Sequence, residues 1–372
     1  MRRSLIPTLA GLLVAALPLQ LVAQQGLYTA ASAAGGVEFK QYNFGAGFPV
    51  NHLSQVAFPV GVALPIGPRF SLDIGTSFAV TSVNADSGGN GSFSSLTDTQ
   101  LRGAYTFGTD ALVASIVVNL PTGKQTTTLQ KFGVSSAASS NFLLFPVNSY
   151  GSGVSVTPGV AAATTAGGWN LGAAASVRFN GAYEPFSGSG TRYKPGVEGR
   201  FRVGADRLVG PSRLSLGVTF STFGTDELRG GSLSNGAYDP GNRVLLDFGL
   251  LSPVGTGTVS VYLWNYYRSS GGNGSTSASN KEDVLTAGVS GSFPLSPKLT
   301  IEPLVESRFW IPEDGSGRLL GVGTSLRVAL SPMIALVPGA RVDLGSIRSP
   351  GAASRQSVTG WNLSAFVQYT FK

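Results

Sequence analysis

Side chains that could act as a nucleophile, a general base or a soft metal ligand are scarce in this sequence of 372 residues. It contains no cysteine and one histidine, His52. The absence of cysteine excludes structural disulfides, zinc-thiolate sites and cysteine nucleophiles. His52 stands close to Asn51 and Ser54 in a predicted loop, and a histidine indicates hydrolysis only when a partner for its proton can be identified. We therefore predict that the protein is not an enzyme, has no catalytic residues and binds no cofactor.

Two glycine-containing segments resemble ligand-binding loops at first sight. Leu120–Thr128 (LPTGKQTTT) contains a Gly-Lys pair, but a phosphate-binding loop needs a second glycine upstream and Ser or Thr directly after the lysine. Asn84–Ser92 (NADSGGNGS) is rich in Asp, Asn and Gly, but it lacks the regular acidic spacing and the closing glutamate of a calcium loop. We predict no phosphate site at the first segment, and a solvated loop without a metal site at the second.

Charged side chains occur mainly at alternate positions of stretches whose intervening residues are apolar. In Val197–Val203, for example, Glu198, Arg200 and Arg202 alternate with apolar residues or glycine. Alternate residues of a strand share one face, so we predict an inward, charged face. Its members form ion pairs that stiffen the wall, select the solutes that pass, or do both. The predicted pore-lining residues are Asp98, Arg102, Arg178, Glu198, Arg200, Arg202, Glu302, Glu306, Arg308 and Arg341. The segment with three charges is the preferred candidate for a constriction.

The longest predicted loop, Thr122–Ser152, contains the apolar run NFLLFPV at Asn141–Val147. An apolar patch in a loop exposed to water needs a surface or a ligand to cover it. Three interpretations stay open: a lid packed on neighbouring loops, a groove that collects apolar ligands, or a loop folded into the lumen to narrow it. The predicted ligand-collecting residues are Phe142, Leu143, Leu144 and Phe145.

The elements that must position these side chains are β-strands. From about Gly36 onward, apolar and polar residues alternate in stretches such as Phe70–Val80 and Trp169–Phe179, and this period of two predicts strands with one apolar face. The apolar faces carry almost no charge and often end in aromatic residues, which is typical of strands that cross a membrane. Charged residues are only 12% of the chain, about half the usual share of a soluble protein.

The connections between the predicted strands are alternately short and long. Short links such as Ala166–Gly168 alternate with long ones such as Glu184–Pro195. This alternation predicts an all-β, antiparallel, up-and-down outer-membrane barrel over residues 36–372, with short periplasmic turns and long extracellular loops. The count is about sixteen strands, and fourteen stays open because the strands around Val37–Leu64 and Pro312–Gly317 have a weak pattern. The last strand must pair with the first, because lipid tolerates no open sheet edge.

The first 23 residues predict a secretory signal peptide. Two arginines precede an apolar stretch from about Leu9 to Leu17, and this stretch is too short for a membrane-spanning helix. We predict cleavage after Ala23 and a short periplasmic segment, residues 24–35, before the barrel. The net charge of +7 is spread along the chain, and without a basic cluster we predict no nucleic-acid partner.

Three segments between about Ser54 and Pro185 carry a resemblance to a known family. They are SQVAFPVGVALPIG, RFSLDIGTSFAV and NLPTGKQ. They resemble the FadL-like superfamily of outer-membrane transporters, including the barrel family linked to phenol degradation by the meta pathway. The resemblance implies passive diffusion of small apolar molecules, with outside loops collecting the ligand. Fatty-acid transporters of this group have a long N-terminal plug, whereas only Gln24–Gly35 precede the first predicted strand here, which favours a pore narrowed by the long loop.

We therefore expect a passive channel or transporter in the outer membrane of a bacterium. The first hypothesis is uptake of small hydrophobic or aromatic compounds. A general or weakly anion-selective porin, and an adhesive or structural barrel without a conducting path, are the alternatives. The expected partners are the permeant, outer-membrane lipid and lipopolysaccharide, and the outer-membrane assembly machinery, which would recognise the last strand. In that strand we expect Phe366 to face the lumen and the following residues to face lipid: Trp361, Leu363, Ala365, Val367, Tyr369 and Phe371.

Overall fold

The computed structural model describes residues 30–85, 90–108, 111–231, 236–272, 277–279 and 281–371. The predicted signal peptide, residues 1–23, lies outside these residues, as do residues 24–29 of the predicted periplasmic segment. The end of that segment, Ser32–Gly35, is already part of the first strand. The barrel therefore begins before Gly36, because small residues form a strand there without any apolar–polar contrast.

Sixteen antiparallel strands form one closed sheet. In chain order they are β1 (Ser32–Phe44), β2 (Val50–Ile66), β3 (Phe70–Ala85), β4 (in two segments, Gly91–Leu96 and Thr99–Phe107), β5 (Leu112–Leu120), β6 (Ser155–Ala166), β7 (Trp169–Asn180), β8 (Glu198–Val209), β9 (Ser212–Phe223), β10 (Arg243–Val254), β11 (Gly257–Arg268), β12 (Glu282–Ser296), β13 (Leu299–Trp310), β14 (Ser316–Ala329), β15 (Ile334–Arg348) and β16 (Gln356–Thr370).

The sheet closes because β16 pairs with β1, in a register that places Ser32 opposite Thr370. β4 is interrupted at Thr97–Asp98, but both of its segments pair with β3 and so form one strand. Closure leaves no open edge, and the backbone N–H and C=O groups of the wall are satisfied within the sheet. The prediction of sixteen strands is confirmed, and the alternative of fourteen is wrong.

The two ends of the barrel differ in the length of their connections. At the periplasmic end, turns of two to four residues join the strands. Gly167 and Gly210 occupy such turns with φ of 57° and 59°, a left-handed conformation that glycine adopts without steric cost. At the extracellular end the connections are longer, up to residues 121–154 between β5 and β6. The predicted alternation of short turns and long loops is confirmed.

The outward face of the barrel is apolar. Val203, Val322 and Leu363 are about half exposed, at 57%, 53% and 49%, and similar side chains recur on every part of the wall. Such a continuous apolar surface is unfavourable in water but not in lipid. The barrel therefore spans a membrane, and a closed antiparallel barrel with this exterior belongs in the bacterial outer membrane.

β16 has the predicted arrangement of its two faces. Trp361, Leu363 and Val367 are exposed on the lipid side. Phe366 stands opposite Gly36 of β1, so close that a Cβ atom on that glycine would lie 2.6 Å from the phenyl ring. The inward phenylalanine therefore fills the space that the glycine leaves at the seam of the barrel.

A helix, α1 (Leu129–Ala138), interrupts the long connection between β5 and β6. Its N-cap is Thr128, whose hydroxyl accepts a hydrogen bond from the backbone N–H of Lys131, as is usual for a helix start. Across the described ranges, no helix is long and apolar enough to span a membrane.

Three short strands form a small antiparallel sheet outside the membrane: Arg192–Lys194, Asp226–Arg229 and Gly236–Tyr238. The hydroxyl of Tyr193 donates a hydrogen bond to the carboxylate of Asp226. This sheet joins the loop after β7 to the loop after β9.

Tyr183 extends the same sheet toward the barrel. Its backbone exchanges two hydrogen bonds with Tyr193, of 2.9 and 2.8 Å. Burial, together with the negative charges of Asp226 and Asp98, raises the pKa of Tyr183 to about 12. The neutral phenol is therefore the form that this extracellular sheet accommodates.

Candidate functional site

The connection between β5 and β6, residues 121–154, folds into the lumen. On α1, Val134 and Ala138 lie one turn apart on the buried face, as residues four apart do. Val134 packs near Phe93 of β4, and Ala138 packs with Phe142 in a separate apolar cluster. The helix thus lies along the wall and directs the chain that follows it inward. We call residues 121–154 the inward loop.

Asp98 holds the two ends of the inward loop together. Its carboxylate accepts hydrogen bonds from the backbone N–H of Gly123, at 3.1 Å, and of Ser152, at 2.7 Å. The two chain segments are packed so closely that a Cβ atom on Gly123 would lie 1.9 Å from the carbonyl oxygen of Tyr150. Asp98 can reach both segments because it stands at the break in β4.

The apolar run Asn141–Val147 is buried against the inner wall. Phe142 and Phe145 are 1% and 4% exposed. The ring of Phe145 meets Tyr42 edge-on, and the ring of Phe142 stacks near Trp310 with a centroid distance of 6.0 Å. Of the three interpretations of this run, the structure adopts the loop folded into the lumen. Phe142, Leu143 and Phe145 form no open groove in this conformation, and a role in collecting ligand stays a prediction.

Three side chains of the wall bind three consecutive carbonyl oxygens of the inward loop, those of Phe142–Leu144. Arg308 donates to the first at 2.7 Å, Tyr42 to the second at 3.1 Å and Lys40 to the third at 2.8 Å. Buried carbonyl groups need such partners, because a loop inside a barrel has no sheet to supply them. These contacts fix the depth of the loop in the lumen.

The end of the run is bound by β2 and β3. The side-chain amide of Gln55 donates to the carbonyl oxygen of Val147 and accepts from its N–H, both at 2.8 Å. The same amide also donates to Thr81 at 2.8 Å, and the hydroxyl of Thr81 is hydrogen-bonded to that of Tyr150. The side chain of Gln55 therefore pairs with the backbone of Val147 as a neighbouring β-strand would.

Leu144 has a left-handed backbone, with φ of 50°. A leucine there is unfavourable by about 1–2 kcal/mol, because its Cβ atom crowds the following carbonyl. This turn directs the carbonyl oxygen of Leu144 at the ammonium group of Lys40. Strain of this kind persists only where surrounding contacts hold it.

A buried network of opposite charges lies beneath the inward loop. Glu306 accepts from Arg308 at 2.6 Å and from Arg341 at 2.8 Å. Arg341 also donates to Asp343 at 2.7 Å, and Asp343 accepts from Tyr42 at 3.0 Å. Charges in such a position are tolerated because each is paired and hydrogen-bonded. On this side of the lumen, the ion pairs join the strands of the wall to one another and, through Arg308, to the inward loop.

The opposite wall is more open. The contacts described above reach β1–β4, β13 and β15, whereas β8 and β10 present water-accessible charges. Arg200, bound to Glu198 at 2.6 Å, has a side chain that is 48% exposed. Arg202, bound to Asp247 at 2.7 Å, has a side chain that is 40% exposed, whereas that of Arg308 is 2% exposed. The lumen thus has one covered wall and one accessible wall.

The predicted pore-lining residues all face inward, but they fall into distinct groups. Asp98 binds the two ends of the inward loop. Arg102 is paired with Asp73, and Glu302 with Arg327, each at 3.8 Å and in the periplasmic half. The covered wall holds Glu306, Arg308 and Arg341. The accessible wall holds Arg178, Glu198, Arg200 and Arg202. Whether the last three form a constriction stays a prediction; their ion pairs hold them along the wall.

Sequence reasoning missed Lys40, Tyr42 and Gln55, which hold the inward loop in place. Lys40 and Tyr42 occur at alternate positions of β1 and share its inward face, on which both are buried. That alternation is the sequence signal that indicates two inward side chains. The weak apolar pattern of the first hairpin obscures it.

His52 lies at the extracellular end of β2, beside a cavity of about 560 Å³ that reaches α1. Its Nδ1 atom is 2.8 Å from the side-chain oxygen of Asn43. Within the described residues, no group of three or more His, Asp or Glu side chains is placed to hold a metal ion. Residues 86–89 of the predicted solvated loop Asn84–Ser92 lie outside the described residues.

No protein-family model matches this chain, and no curated protein sequence matches it. Among solved structures, the chain is similar to a bacterial polysaccharide outer membrane secretin, with 9% identity, a TM-score of 0.48, and coverage of 93% of this chain and 100% of the other. It is similar to the TodX monoaromatic hydrocarbon channel, as its deltaS2 mutant, with 10% identity, a TM-score of 0.47, and coverage of 92% and 91%. It is also similar to an outer membrane channel from Pseudomonas putida F1, with 13% identity, a TM-score of 0.40, and coverage of 93% and 97%. With such low values, the architecture rests on the strand pairing of this chain itself.

Proposed function

We propose that the barrel is a passive channel of the outer membrane that is narrowed by its inward loop. The observation that carries the proposal is the asymmetry of the lumen: the loop covers one wall, and charged side chains on the other wall remain accessible to water. A barrel of about this strand number is too wide for its own side chains to fill. Small solutes would pass between the inward loop and strands β7–β11.

Anions are the permeants that the charges of this passage favour. The inward charged residues of the accessible wall are Arg178, Arg200, Arg202, Arg213, Arg243, Arg268, Glu198, Asp206, Asp247 and, at its edge, Glu282. Six guanidinium groups thus face four carboxylates. A channel lined with an excess of one charge raises the local concentration of the opposite ion.

Uptake of small hydrophobic or aromatic compounds is the second candidate function, and a different feature favours it. On α1, Leu129 is 74% exposed and Phe132 is 44% exposed. The ring of Phe132 meets that of Phe186, from the loop after β7, with a centroid distance of 5.3 Å. An exposed apolar patch at the extracellular end offers a first contact to an apolar solute.

Conductance of the purified full barrel in planar lipid bilayers tests the proposal. We expect small channels whose reversal potential in a potassium chloride gradient indicates a preference for chloride. Uptake of a neutral aromatic solute into proteoliposomes without conductance would instead favour the second candidate. If correctly folded protein shows neither conductance nor uptake, both candidate functions are overturned and an adhesive or structural barrel remains.

A further inference from the structure

Four inward residues on neighbouring strands stand in one row across the accessible wall. Arg200 of β8 is opposite Ser221 of β9, and Ser221 is opposite Arg243 of β10. Arg243 is in turn opposite Arg268 of β11. The row faces the lumen, because the residues next to it along the strands, such as Phe201, are exposed on the lipid side. We call these four residues the arginine row.

Like charges meet in this row. Arg243 and Arg268 are direct cross-strand partners, an arrangement that is unfavourable when nothing lies between the charges. Arg268 has a carboxylate partner in Glu282, at 3.8 Å. Among the described residues, no carboxylate lies within 4.0 Å of Arg243. The row therefore has positive charge in excess of what the wall neutralises.

The row also contains two hydrogen-bond donors without a partner. The Nε atoms of Arg243 and Arg268 are buried and have no hydrogen-bond partner among the described residues. Glu198 is bound to Arg200 at 2.6 Å, and Glu282, the partner of Arg268, is already bound by Asn141 at 2.9 Å and by Trp310 at 3.1 Å. Guanidinium groups match the geometry of an oxyanion, to which they can donate two parallel hydrogen bonds.

Aromatic side chains share this inward surface. The guanidinium carbon of Arg243 lies 4.5 Å from the ring centroid of Phe223. Tyr266 stands two residues before Arg268 on β11 and so shares its inward face, while the adjacent Tyr267 is exposed to lipid. An aromatic face beside a guanidinium group suits a ligand that has both a ring and a negative charge.

We propose that the arginine row, with Phe223 and Tyr266 beside it, is a binding site in the lumen for small aromatic carboxylates. Arg243 and Arg268 would bind the carboxylate, Ser221 would lie beneath it, and the aromatic side chains would contact the ring. The site rests on the proposed channel, since it lies on the path that the channel offers to a permeant. It specifies the substrate class as anions that also carry an apolar ring.

Isothermal titration calorimetry of the full barrel in detergent, with benzoate as the probe, tests the site without requiring conductance. We expect saturable binding of benzoate, weaker binding of acetate and no saturable binding of the neutral analogue benzamide. The double variant Arg243→Gln/Arg268→Gln should weaken benzoate binding at least about tenfold, because charge-assisted hydrogen bonds are lost. Phe223→Leu should weaken benzoate about 2- to 10-fold and leave acetate unchanged.

Arg327→Gln is the matched control, because Arg327 also faces the lumen but is paired with Glu302, away from the accessible wall. It should bind benzoate as the wild type does. Absence of benzoate binding, equal binding of benzamide, or an unchanged double variant that is correctly folded would overturn the site. Benzoate binding in a barrel that conducts no ions would support the site and overturn the channel, so the two proposals fail separately.

Discussion

The guanidinium group of Arg308 on β13 donates a hydrogen bond of 2.7 Å to the carbonyl oxygen of Phe142 in the inward loop. The two residues are 166 positions apart. The same guanidinium binds Glu306 at 2.6 Å. One side chain therefore belongs both to the ion-pair network of the wall and to the attachment of the loop, so that the position of the loop depends on the wall.

Replacing Arg308 with alanine should loosen the inward loop and raise the single-channel conductance. The change removes one charge-assisted hydrogen bond to the loop, worth about 1.5–3 kcal/mol, while Arg341 still neutralises Glu306. Arg327→Ala is the matched control, because Arg327 faces the lumen and pairs with Glu302 instead of the loop. Equal conductance of the two variants would contradict the attachment role of Arg308.

Replacing Asp98 with alanine should release both ends of the inward loop. Its carboxylate binds the N–H groups of Gly123 and Ser152, and we expect trypsin to cleave after Lys124 or Lys131 in the variant much faster than in the wild type. Asp206→Ala is the control, since Asp206 pairs with Arg213 on the wall. Equal cleavage rates in all three proteins would show that Asp98 does not restrain the loop.

At Leu144, glycine should be more stable than alanine. Elsewhere a glycine is destabilising by about 0.5–1 kcal/mol relative to alanine. The φ of 50° at Leu144 reverses this order, because alanine keeps the Cβ clash of about 1–2 kcal/mol and glycine removes it. Urea unfolding of Leu144→Gly and Leu144→Ala measures the difference directly. A more stable alanine variant would mean that the left-handed turn is absent in solution.

An arginine on the lipid side of β16 should destabilise the barrel far more than an arginine on the lumen side. Leu363 stands at the middle of the strand and faces lipid, so Leu363→Arg should destabilise the barrel by about 2–4 kcal/mol. Ser364→Arg is the matched variant, because its side chain points inward, close to Gly339. We expect it to fold with nearly wild-type stability. The reverse order of stabilities would refute the assigned faces of the strand.

Alkaline pH should weaken the extracellular sheet. The pKa of Tyr183 is raised from 10.0 to about 12. Because the folded-state pKa is the higher one, the stability that the neutral phenol provides is complete below pH 10 and is lost as the pH rises to about 12. The difference in phenolate absorbance between the wild type and Tyr183→Phe should therefore develop near pH 12. A difference that develops near pH 10 would contradict the burial of this side chain.

Most of the wall could be predicted from local pattern. Residues such as Leu363 and Arg202 reveal their faces by alternation, because neighbouring residues of a strand point to opposite sides. The alternation of short and long connections was enough for sixteen strands. The prediction was least accurate at Ser32–Gly35, where four small residues begin β1 without any contrast between the two faces.

The candidate site was only partly predictable. The sequence showed that Phe142 and Phe145 must be buried against another surface, but not which surface that is. It showed that Arg200 faces inward, but not that Arg243 and Arg268 stand in the same row, because cross-strand neighbours depend on the register between strands.

Taken alone, the sequence determined a membrane barrel with an apolar exterior and a charged lumen, because the period of the pattern and the link lengths are local properties. Tertiary structure decided where the inward loop lies and which charges remain unpaired. Those outcomes depend on contacts between residues such as Arg308 and Phe142, far apart in the chain, whose energies are set by burial and geometry and leave no local pattern.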